Sequence, residues 1–239
     1  MMSCEAPLAR SEAPVHSSLR RFVIAFRKLA CLFAPILWAC TAAGQVAEHH
    51  PPGSTSDYIR MLEEPGRAEW QKPEEVVSKL ALKPGEAVAD LGAGSGYFTL
   101  RFARAVGPSG KVFAVDIDSE MLDYIERRAK EEGLANVQRV LAGPHDPKLP
   151  AASVDLMFIC DTLHHISDRA TYYPLLARAL RPGGRLVNVD FQKRTLPFGP
   201  PLEMKIAKED MIEEVKPAGF HLAKDWDFLP YQYFLIFER

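Results

Sequence analysis

The sequence predicts a doubly wound α/β fold, in which helices cover both faces of a mostly parallel sheet. Strand-like apolar runs alternate with amphipathic helical runs along most of the chain, and this order of elements builds a parallel sheet. A glycine-rich turn follows the first of these strands and leads into a helix, as at the ligand crevice of such sheets. The last two strand-like runs, 221–229 and 232–239, are joined without a helix, so the end of the chain departs from the alternating pattern.

The individual elements follow from apolar periodicity. Residues 86–91 form an apolar run with the length of a buried strand, and Phe98, Phe102 and Val106 place one apolar stripe on the helix that follows. Pro73 suits the first turn of a helix, because a proline there gives up no internal hydrogen bond. The predicted helices are 56–64, 73–80, 97–106, 119–132, 168–180 and 208–217, and the predicted strands before the two terminal runs are 86–91, 111–116, 137–141, 154–160 and 185–191.

Composition indicates one globular domain after an N-terminal segment. We divide the 239-residue chain into a signal-like or anchor segment, 1–47, a polar linker, 48–55, and a domain, 56–239, that is long enough for one well-buried core. The 29 Lys and Arg residues nearly balance the 31 Asp and Glu residues, so the electrostatic footprint of a nucleic-acid-binding protein is missing. Only Cys160 of the four cysteines lies in the domain, which excludes an internal disulfide and a cysteine-rich metal site there.

The N-terminal segment has the layout of an export signal, or signal peptide. Arg20, Arg21, Arg27 and Lys28 precede an apolar run over residues 29–43, and small and polar residues follow it. The run is too short, and too interrupted by a proline, for a comfortable membrane-spanning helix. The segment therefore predicts a protein that is exported or anchored to a membrane. A misassigned start, which would leave the protein cytoplasmic, and an organelle transit segment are the alternatives.

The stretch VADLGAGSGYFTL, residues 88–100, is the most informative part of the domain. Gly92, Gly94 and Gly96 let the backbone turn tightly and approach a ligand, because no Cβ is in the way. A phosphate-binding loop would continue with a lysine, and the dinucleotide fingerprint would separate its last two glycines by two residues, whereas one residue separates them here. Asp90 would repel a pyrophosphate and suits a ligand that carries an ammonium group.

This combination resembles motif I of the class I S-adenosylmethionine-dependent methyltransferases, whose ligand carries an amino-acid ammonium and no phosphate. KVFAVDIDSEML resembles the family's second strand with its terminal acidic residue, and VDLMFICDTLHHI resembles its fourth strand and active-site loop. LLARALRPGGRLVNVDF resembles the helix, turn and fifth strand that follow. The resemblance covers roughly residues 71–239. It implies a Rossmann-like methyltransferase fold with seven strands and a C-terminal antiparallel hairpin, and S-adenosyl-L-methionine as the cofactor.

The resemblance also implies which residues bind the cofactor. Asp116, at the end of the second strand, is expected to accept hydrogen bonds from both ribose hydroxyls. Asp146, after the third strand, falls where the family often contacts adenine, and an ordinary turn aspartate is the alternative. Asp161 follows the fourth strand and is expected at the methyl-donor end of the pocket. The expected cofactor-binding residues are Asp90, Gly92, Gly94, Gly96, Asp116, Asp146 and Asp161.

The cluster CDTLHHI supplies the candidate catalytic residues, Asp161, His164 and His165. Histidine titrates near neutral pH and suits a general base where the methyl acceptor arrives protonated. Adjacent side chains point in different directions, so at most one histidine is expected to face a substrate. For the same reason we expect no metal site, because neighbouring residues cannot easily present two nitrogens to one ion. The alternative is that both histidines pack against or cap the following helix.

The sequence thus predicts methyl transfer from S-adenosylmethionine to a small organic molecule. Asp161-Thr162-Leu163-His164 stands where enzymes that methylate nucleobase or glutamine amino groups usually have Asn/Asp-Pro-Pro-Tyr/Phe. The segment 192–206 after the fifth strand is expected to form a substrate lid, and its proline and apolar content favours an organic rather than a polyanionic acceptor. A non-catalytic cofactor-binding or interaction module on the same fold is the alternative. The acceptor atom and the oligomeric state stay open.

Overall fold

The computed structural model of the protein describes residues 54–239. The predicted signal-like segment, 1–47, and all but the last two residues of the predicted linker, 48–55, lie outside the described residues. Within residues 54–239, no helix combines the length and the apolar character needed to cross a membrane.

One sheet of seven strands forms the centre of the described domain. Its strands are β1 (Ala87–Leu91), β2 (Lys111–Asp116), β3 (Val137–Leu141), β4 (Val154–Cys160), β5 (Leu180–Phe191), β6 (His221–Trp226) and β7 (Gln232–Glu238). They lie in the order β3-β2-β1-β4-β5-β7-β6. The first five strands run parallel, whereas β7 pairs antiparallel with both β5 and β6. The predicted parallel sheet and its terminal antiparallel hairpin are confirmed.

Helices cover both faces of the sheet. They are α1 (Thr55–Leu62), α2 (Arg67–Gln71), α3 (Pro73–Leu80), α4 (Thr99–Val106), α5 (Ser119–Glu131), α6 (Arg169–Ala179) and α7 (Lys208–Glu214). Neighbouring residues of β1 belong to two different cores: Val88 packs with Phe102 of α4, and Ala89 packs with Tyr173 of α6. Because side chains alternate between the faces of a strand, the two cores lie on opposite sides of the sheet. The doubly wound arrangement is confirmed.

Several helix boundaries differ from those that the sequence predicts. The linker ends before residue 55, because Ser54 caps α1 and its hydroxyl accepts a hydrogen bond from the backbone N–H of Asp57 at 3.3 Å. Helix α4 begins at Thr99 rather than at residue 97, since Gly96 has a φ of 79° and still belongs to the turn. Helix α7 stops at Glu214, and Pro217 then lies in a separate 3-10 turn because proline does not continue an α-helix.

Two further differences concern residues 67–71 and the start of β5. Residues 67–71, which the sequence did not assign to a helix, form α2. Strand β5 begins at Leu180, where a pairing with Val154 precedes a shift in register that leaves residues 181–184 as a bulge. Gly183 has a φ of 76°, a conformation that glycine adopts at little cost. The predicted start of this strand at residue 185 is therefore wrong, because the strand begins before the bulge.

Candidate functional site

The carboxyl ends of β1, β2 and β4 meet at one edge of the sheet, on either side of the point where the strand order reverses. Open α/β sheets bind their ligands at such a point. The loop after β1 holds Gly92, Gly94 and Gly96, and it contacts both neighbouring strand ends. The backbone N–H of Gly94 donates to the Asp116 carboxylate at 2.8 Å, and a Cβ on Gly92 would collide with the side chain of Thr162. The sequence-predicted loops therefore converge in three dimensions.

Asp90 lies in the wall of this crevice rather than on its surface. Asp90 is only 3% exposed, and the hydroxyl of Thr99 donates a hydrogen bond to its Oδ2 at 2.6 Å. Burial raises the pKa of Asp90 to about 7, while the hydrogen bond from Thr99 opposes that shift. A nearby cation would favour the charged carboxylate. A contact with a ligand ammonium stays a prediction.

Asp116 links the end of β2 to the glycine loop. Its Oδ2 accepts the hydrogen bond from Gly94, and its Oδ1 accepts one from the backbone N–H of Asp118 at 3.0 Å. Burial raises the pKa of Asp116, and these backbone hydrogen bonds act in the opposite direction. Each carboxylate oxygen can accept more than one hydrogen bond, so both oxygens retain capacity for a ligand hydroxyl.

The three glycines of the loop have different surroundings. A Cβ on Gly96 would lie 2.8 Å from Ile125 of α5, so Gly96 is required by helix packing. A Cβ on Gly94 would lie 3.0 Å from Leu62 of α1, and Gly94 has a φ of 52°. Gly94 is thus the glycine at which α1 lies against the loop, and the backbone there is in a region that side chains rarely adopt.

Helices α1 and α2 contribute residues that the sequence interpretation missed. The guanidinium of Arg67 lies 4.1 Å from the centre of the Tyr97 ring and donates to the Leu62 carbonyl at 2.7 Å. Its charge lowers the pKa values of Asp90 and Asp161, against the effect of their burial. The pKa of Tyr58 is raised by burial and by the carboxylates of Asp116 and Asp161. No motif marks these residues, and only the amphipathic pattern of α1, which carries Tyr58, offered a local signal for one of them.

Asp161 is held by two glutamines at the end of β4. Gln232 of β7 donates from Nε2 to both carboxylate oxygens, at 2.7 and 2.9 Å, and Gln71 of α2 donates at 3.3 Å. Asp161 has a φ of 52°, which is uncommon for a residue with a side chain and is typical of a functional site. Burial and the charge of Asp190 raise its pKa to about 6. Neither glutamine was selected from the sequence, because each lies far from Asp161 along the chain.

The two adjacent histidines differ in burial but line the same pocket, and the expectation that at most one of them faces a substrate stays a prediction. The Nδ1 of His164 lies 2.8 Å from Oδ1 of Asp190, and the two side chains are 3% and 0% exposed. Burial alone would lower the pKa of His164, but its hydrogen bond to Asp190 and the charge of that carboxylate outweigh burial, so the pKa is raised. His165 is exposed, and its ring centre lies 4.3 Å from that of His164.

Asp146 is engaged in its own turn. Its Oδ1 accepts the backbone N–H of Lys148 at 2.8 Å, and its Oδ2 forms an ion pair with the amine of the same lysine at 3.0 Å. These interactions lower the pKa of Asp146. They support the interpretation as an ordinary turn residue, and a contact with adenine stays a prediction.

The part of the chain that the structure describes contains no group of His, Cys, Asp and Glu side chains arranged to hold a metal ion. The polar groups of the crevice instead hold one another through hydrogen bonds, chiefly around Asp116 and Asp161. They form a polar, hydrogen-bonded crevice at the carboxyl edge of the sheet.

This sheet order, with a glycine loop after β1 and a carboxylate at the end of β2, defines a methyltransferase of the Rossmann-like class. Residues 88–184 match a family model described as a methyltransferase domain. The crystal structure of an S-adenosylmethionine-dependent methyltransferase from Aquifex aeolicus superposes with a TM-score of 0.73 at 28% identity, covering 78% of this chain and 98% of that one. The matched domain and this structural similarity support a class I S-adenosylmethionine-dependent methyltransferase, an enzyme whose cofactor is S-adenosylmethionine.

Two curated relatives extend the comparison. A ubiquinone/menaquinone biosynthesis C-methyltransferase from Hahella chejuensis is 34% identical over 123 residues, which are 51% of this chain and 49% of the relative. An uncharacterized 37.1 kDa protein encoded in a transposon of Streptomyces fradiae is 34% identical over 167 residues, which are 69% of this chain and 47% of the relative. The chain thus spans about half the length of the curated relatives it matches.

Proposed function

We propose that the protein transfers a methyl group from S-adenosylmethionine to a small organic molecule. The observation that carries this proposal is the convergence of the Gly94 loop, Asp116 and Asp161 in one crevice at the carboxyl edge of the sheet. When bound, the cofactor supplies a methyl group that its sulfonium has already activated. The protein's main task is therefore to hold the acceptor in line with that group, and orientation of this kind accounts for several kcal/mol of a barrier.

The residues of the crevice fit the chemical groups of the cofactor. Asp116 has oxygens able to accept two ribose hydroxyls, and it lies directly beside the glycine loop, whose Gly94 N–H it binds. The amino-acid end of the cofactor carries an ammonium and a carboxylate, which match Asp90 and Arg67, two groups of opposite charge near each other. An ammonium beside Asp90 would compensate for the burial of its charge. We place the ribose at Asp116 and the amino-acid end toward Asp90 and Arg67.

The acceptor side of the crevice lies at Asp161 and the histidines that follow it. A pocket of about 630 Å³ is lined by His164, His165 and several residues of the predicted lid segment 192–206. That volume lies within the range of small-molecule sites. The lid residues in its wall include Pro201, Met204 and Ile206, which supports an acceptor with an apolar body.

For the acceptor we propose the ring of a phenol or quinol, methylated at carbon. The relative from Hahella chejuensis is named as a C-methyltransferase of ubiquinone and menaquinone biosynthesis, and its similarity to this chain covers 123 residues. A quinol ring combines an apolar body with a weakly acidic hydroxyl, and both properties suit the lining of the pocket.

A turnover assay tests this proposal. The full chain is incubated with S-adenosylmethionine and a panel of small phenols, quinols, amines and carboxylates, and S-adenosylhomocysteine is quantified together with the mass of each product. We expect equal amounts of S-adenosylhomocysteine and of a product heavier by one methylene, with phenols or quinols as the best acceptors. Cofactor binding without turnover on any acceptor would instead support the non-catalytic module.

A further inference from the structure

The pocket beside the 3-10 turn Leu163–His165 is lined by a nearly buried imidazole, by apolar residues and by charged side chains. His164 contributes a side chain that is 3% exposed, while Ile166, Met204 and Ile206 contribute apolar surface. An almost buried imidazole is shielded from water, and a hydrogen bond that it makes is stronger than one at the surface. His164 therefore offers a nearly buried nitrogen base to this pocket.

Asp190 lies behind His164 and determines which nitrogen faces outward. The carboxylate is fully buried; its Oδ1 accepts from Nδ1 of His164 and from the backbone N–H of Phe191 at 2.8 Å. Its Oδ2 is buried and has no hydrogen-bond partner within the described residues. A neutral imidazole must carry its proton on Nδ1 to make this hydrogen bond, so Nε2 is left with a free lone pair. A buried carboxylate that is short of donors also stabilises a positive charge on the ring.

We infer that His164 is the general base of the methyl transfer, that Asp190 is its positioning residue, and that the acceptor is a weak acid that loses its proton in the pocket. This inference rests on the proposed function. Nε2 of His164 takes the proton of the acceptor's O–H group, and the electron pair of that bond moves into the ring. The ring carbon beside the oxygen forms the bond to the methyl carbon, and the electron pair of the methyl–sulfur bond stays on sulfur. Water then takes the hydrogen of that carbon as a proton. The electron pair of the carbon–hydrogen bond returns to the ring, which becomes aromatic again.

The charges around His164 come from four elements. Asp190 lies on β5 and Asp161 follows β4, and both carboxylates favour the protonated imidazole. Arg169 at the start of α6 opposes them, but its guanidinium is paired with Glu214 of α7 at 2.7 and 2.8 Å. His165, Lys193, Glu203, Lys205 and Asp210 also line the pocket. The surroundings closest to the imidazole thus carry net negative charge.

Two variants and one control test the inference. His164→Asn keeps an amide donor near the position of Nδ1 for Asp190 but removes the base at Nε2, so we expect kcat/KM at pH 7 to fall by about 10²–10⁴-fold while the affinity for S-adenosylmethionine and the Tm change little. His221→Asn, the same replacement at an exposed histidine of β6, should leave all three quantities unchanged. Unchanged turnover with a lower Tm in His164→Asn would show a purely structural histidine and overturn the inference.

Asp190→Asn adds a measurement that does not depend on turnover. The pKa of the His164 imidazole is measured by NMR titration of the protein without cofactor. It is compared with the pKa that the acid limb of the pH profile of kcat/KM gives. We expect the two values to agree in the wild type, and the variant to lower both by about 1–3 pH units. A wild-type His164 pKa that differs from the pKa of the acid limb of kcat/KM contradicts the inference. This comparison uses the wild type alone, so it tests the inference even if Asp190→Asn fails to fold. No turnover in the wild type would contradict the proposed function instead.

Discussion

At the residue scale, three buried acidic or basic groups of the site have pKa values above those of the same groups in water. Burial brings the pKa of Asp90 to about 7 and that of Asp161 to about 6, and Asp190 raises the pKa of His164. Perturbed groups that share one crevice are typical of functional sites. Their charge states at neutral pH will respond to a bound ligand, because a cation nearby favours the ionised carboxyls.

Asp90→Asn should raise the stability of the protein at pH 8 and weaken its binding of S-adenosylmethionine. The folded protein holds the proton of Asp90 more tightly than the unfolded chain does, so its ionisation costs stability increasingly from about pH 4 to about pH 7. The rise in the pKa of Asp90 from 3.8 to about 7 corresponds to at most about 4 kcal/mol of unfolding free energy. We expect the variant to gain about 1–2 kcal/mol of stability at pH 8, less than this limit because the asparagine amide is also buried. At pH 4 the gain should vanish. Affinity for S-adenosylmethionine at pH 8 should fall about 10-fold.

Thermal melts at pH 4 and pH 8 and titration calorimetry provide these quantities. Asp123→Asn, which makes the same change on the exposed face of α5, is the control. Destabilisation of Asp90→Asn at pH 8 that shrinks at pH 4 would show that the charged carboxylate stabilises the fold, contrary to the assignment.

The sequence identified some of these residues and missed others for a clear reason. Asp90, Asp116, His164 and the three glycines belong to short motifs whose residues are neighbours along the chain. Arg67, Gln71, Asp190 and Gln232 reach the site from distant elements and have no motif of their own. Only the folded arrangement shows that Gln232 donates to Asp161 or that Asp190 holds His164.

At the scale of elements, the glycine loop and α1 form the part of the crevice that is most sensitive to substitution. Gly94 lies at φ 52° with Leu62 close by, whereas Gly107, at the end of α4, has a φ of 67° and open space within 4 Å of the position that a Cβ would take. Both positions have a positive φ, and Gly107 combines it with a ψ of −179°, a conformation that is essentially restricted to glycine. Only Gly94 borders the site, so Gly107 serves as a strained control position away from it.

We expect both Gly94→Ala and Gly107→Ala to lower stability, by about 1–3 kcal/mol, with the loss at Gly107 at least as large as that at Gly94. Only Gly94→Ala should weaken the binding of S-adenosylmethionine, by about 10-fold or more. The loop and α1 must move apart to make room for the methyl group of the new alanine side chain. Denaturant unfolding and titration calorimetry give the two quantities. An equal effect of both variants on affinity would mean that the loop does not border the cofactor.

Strands were predicted more accurately than helix ends. β2, β3 and β4 have the bounds that the sequence predicts. The interiors of β2 and β4 are buried and largely apolar, which marks their extent in the sequence. The extra helix α2 and the early start of β5 depend on contacts outside their own sequence: Arg67 binds the end of α1, and Leu180 pairs with Val154 before the bulge. Local pattern alone contains no signal for either.

At the scale of the whole molecule, the sequence predicts one domain of the right class, and the sheet order and two-sided core confirm that fold. The fold leaves the acceptor undetermined, because a shared scaffold supports many reactions. The lid segment 192–206 and the pocket beside His164 are the parts that would select the acceptor. The export-type or anchoring role of residues 1–47 stays a prediction from the sequence, since that segment lies outside the described residues.

The most direct test of the central claim is a crystal structure of the full chain with S-adenosylhomocysteine. We expect both ribose hydroxyls within hydrogen-bond distance of Asp116, the amino-acid end between Asp90 and Arg67, and the sulfur directed toward Asp161 and the pocket beside His164. A ligand bound elsewhere, or one whose ribose does not contact Asp116, would contradict the assignment of this crevice as the cofactor site.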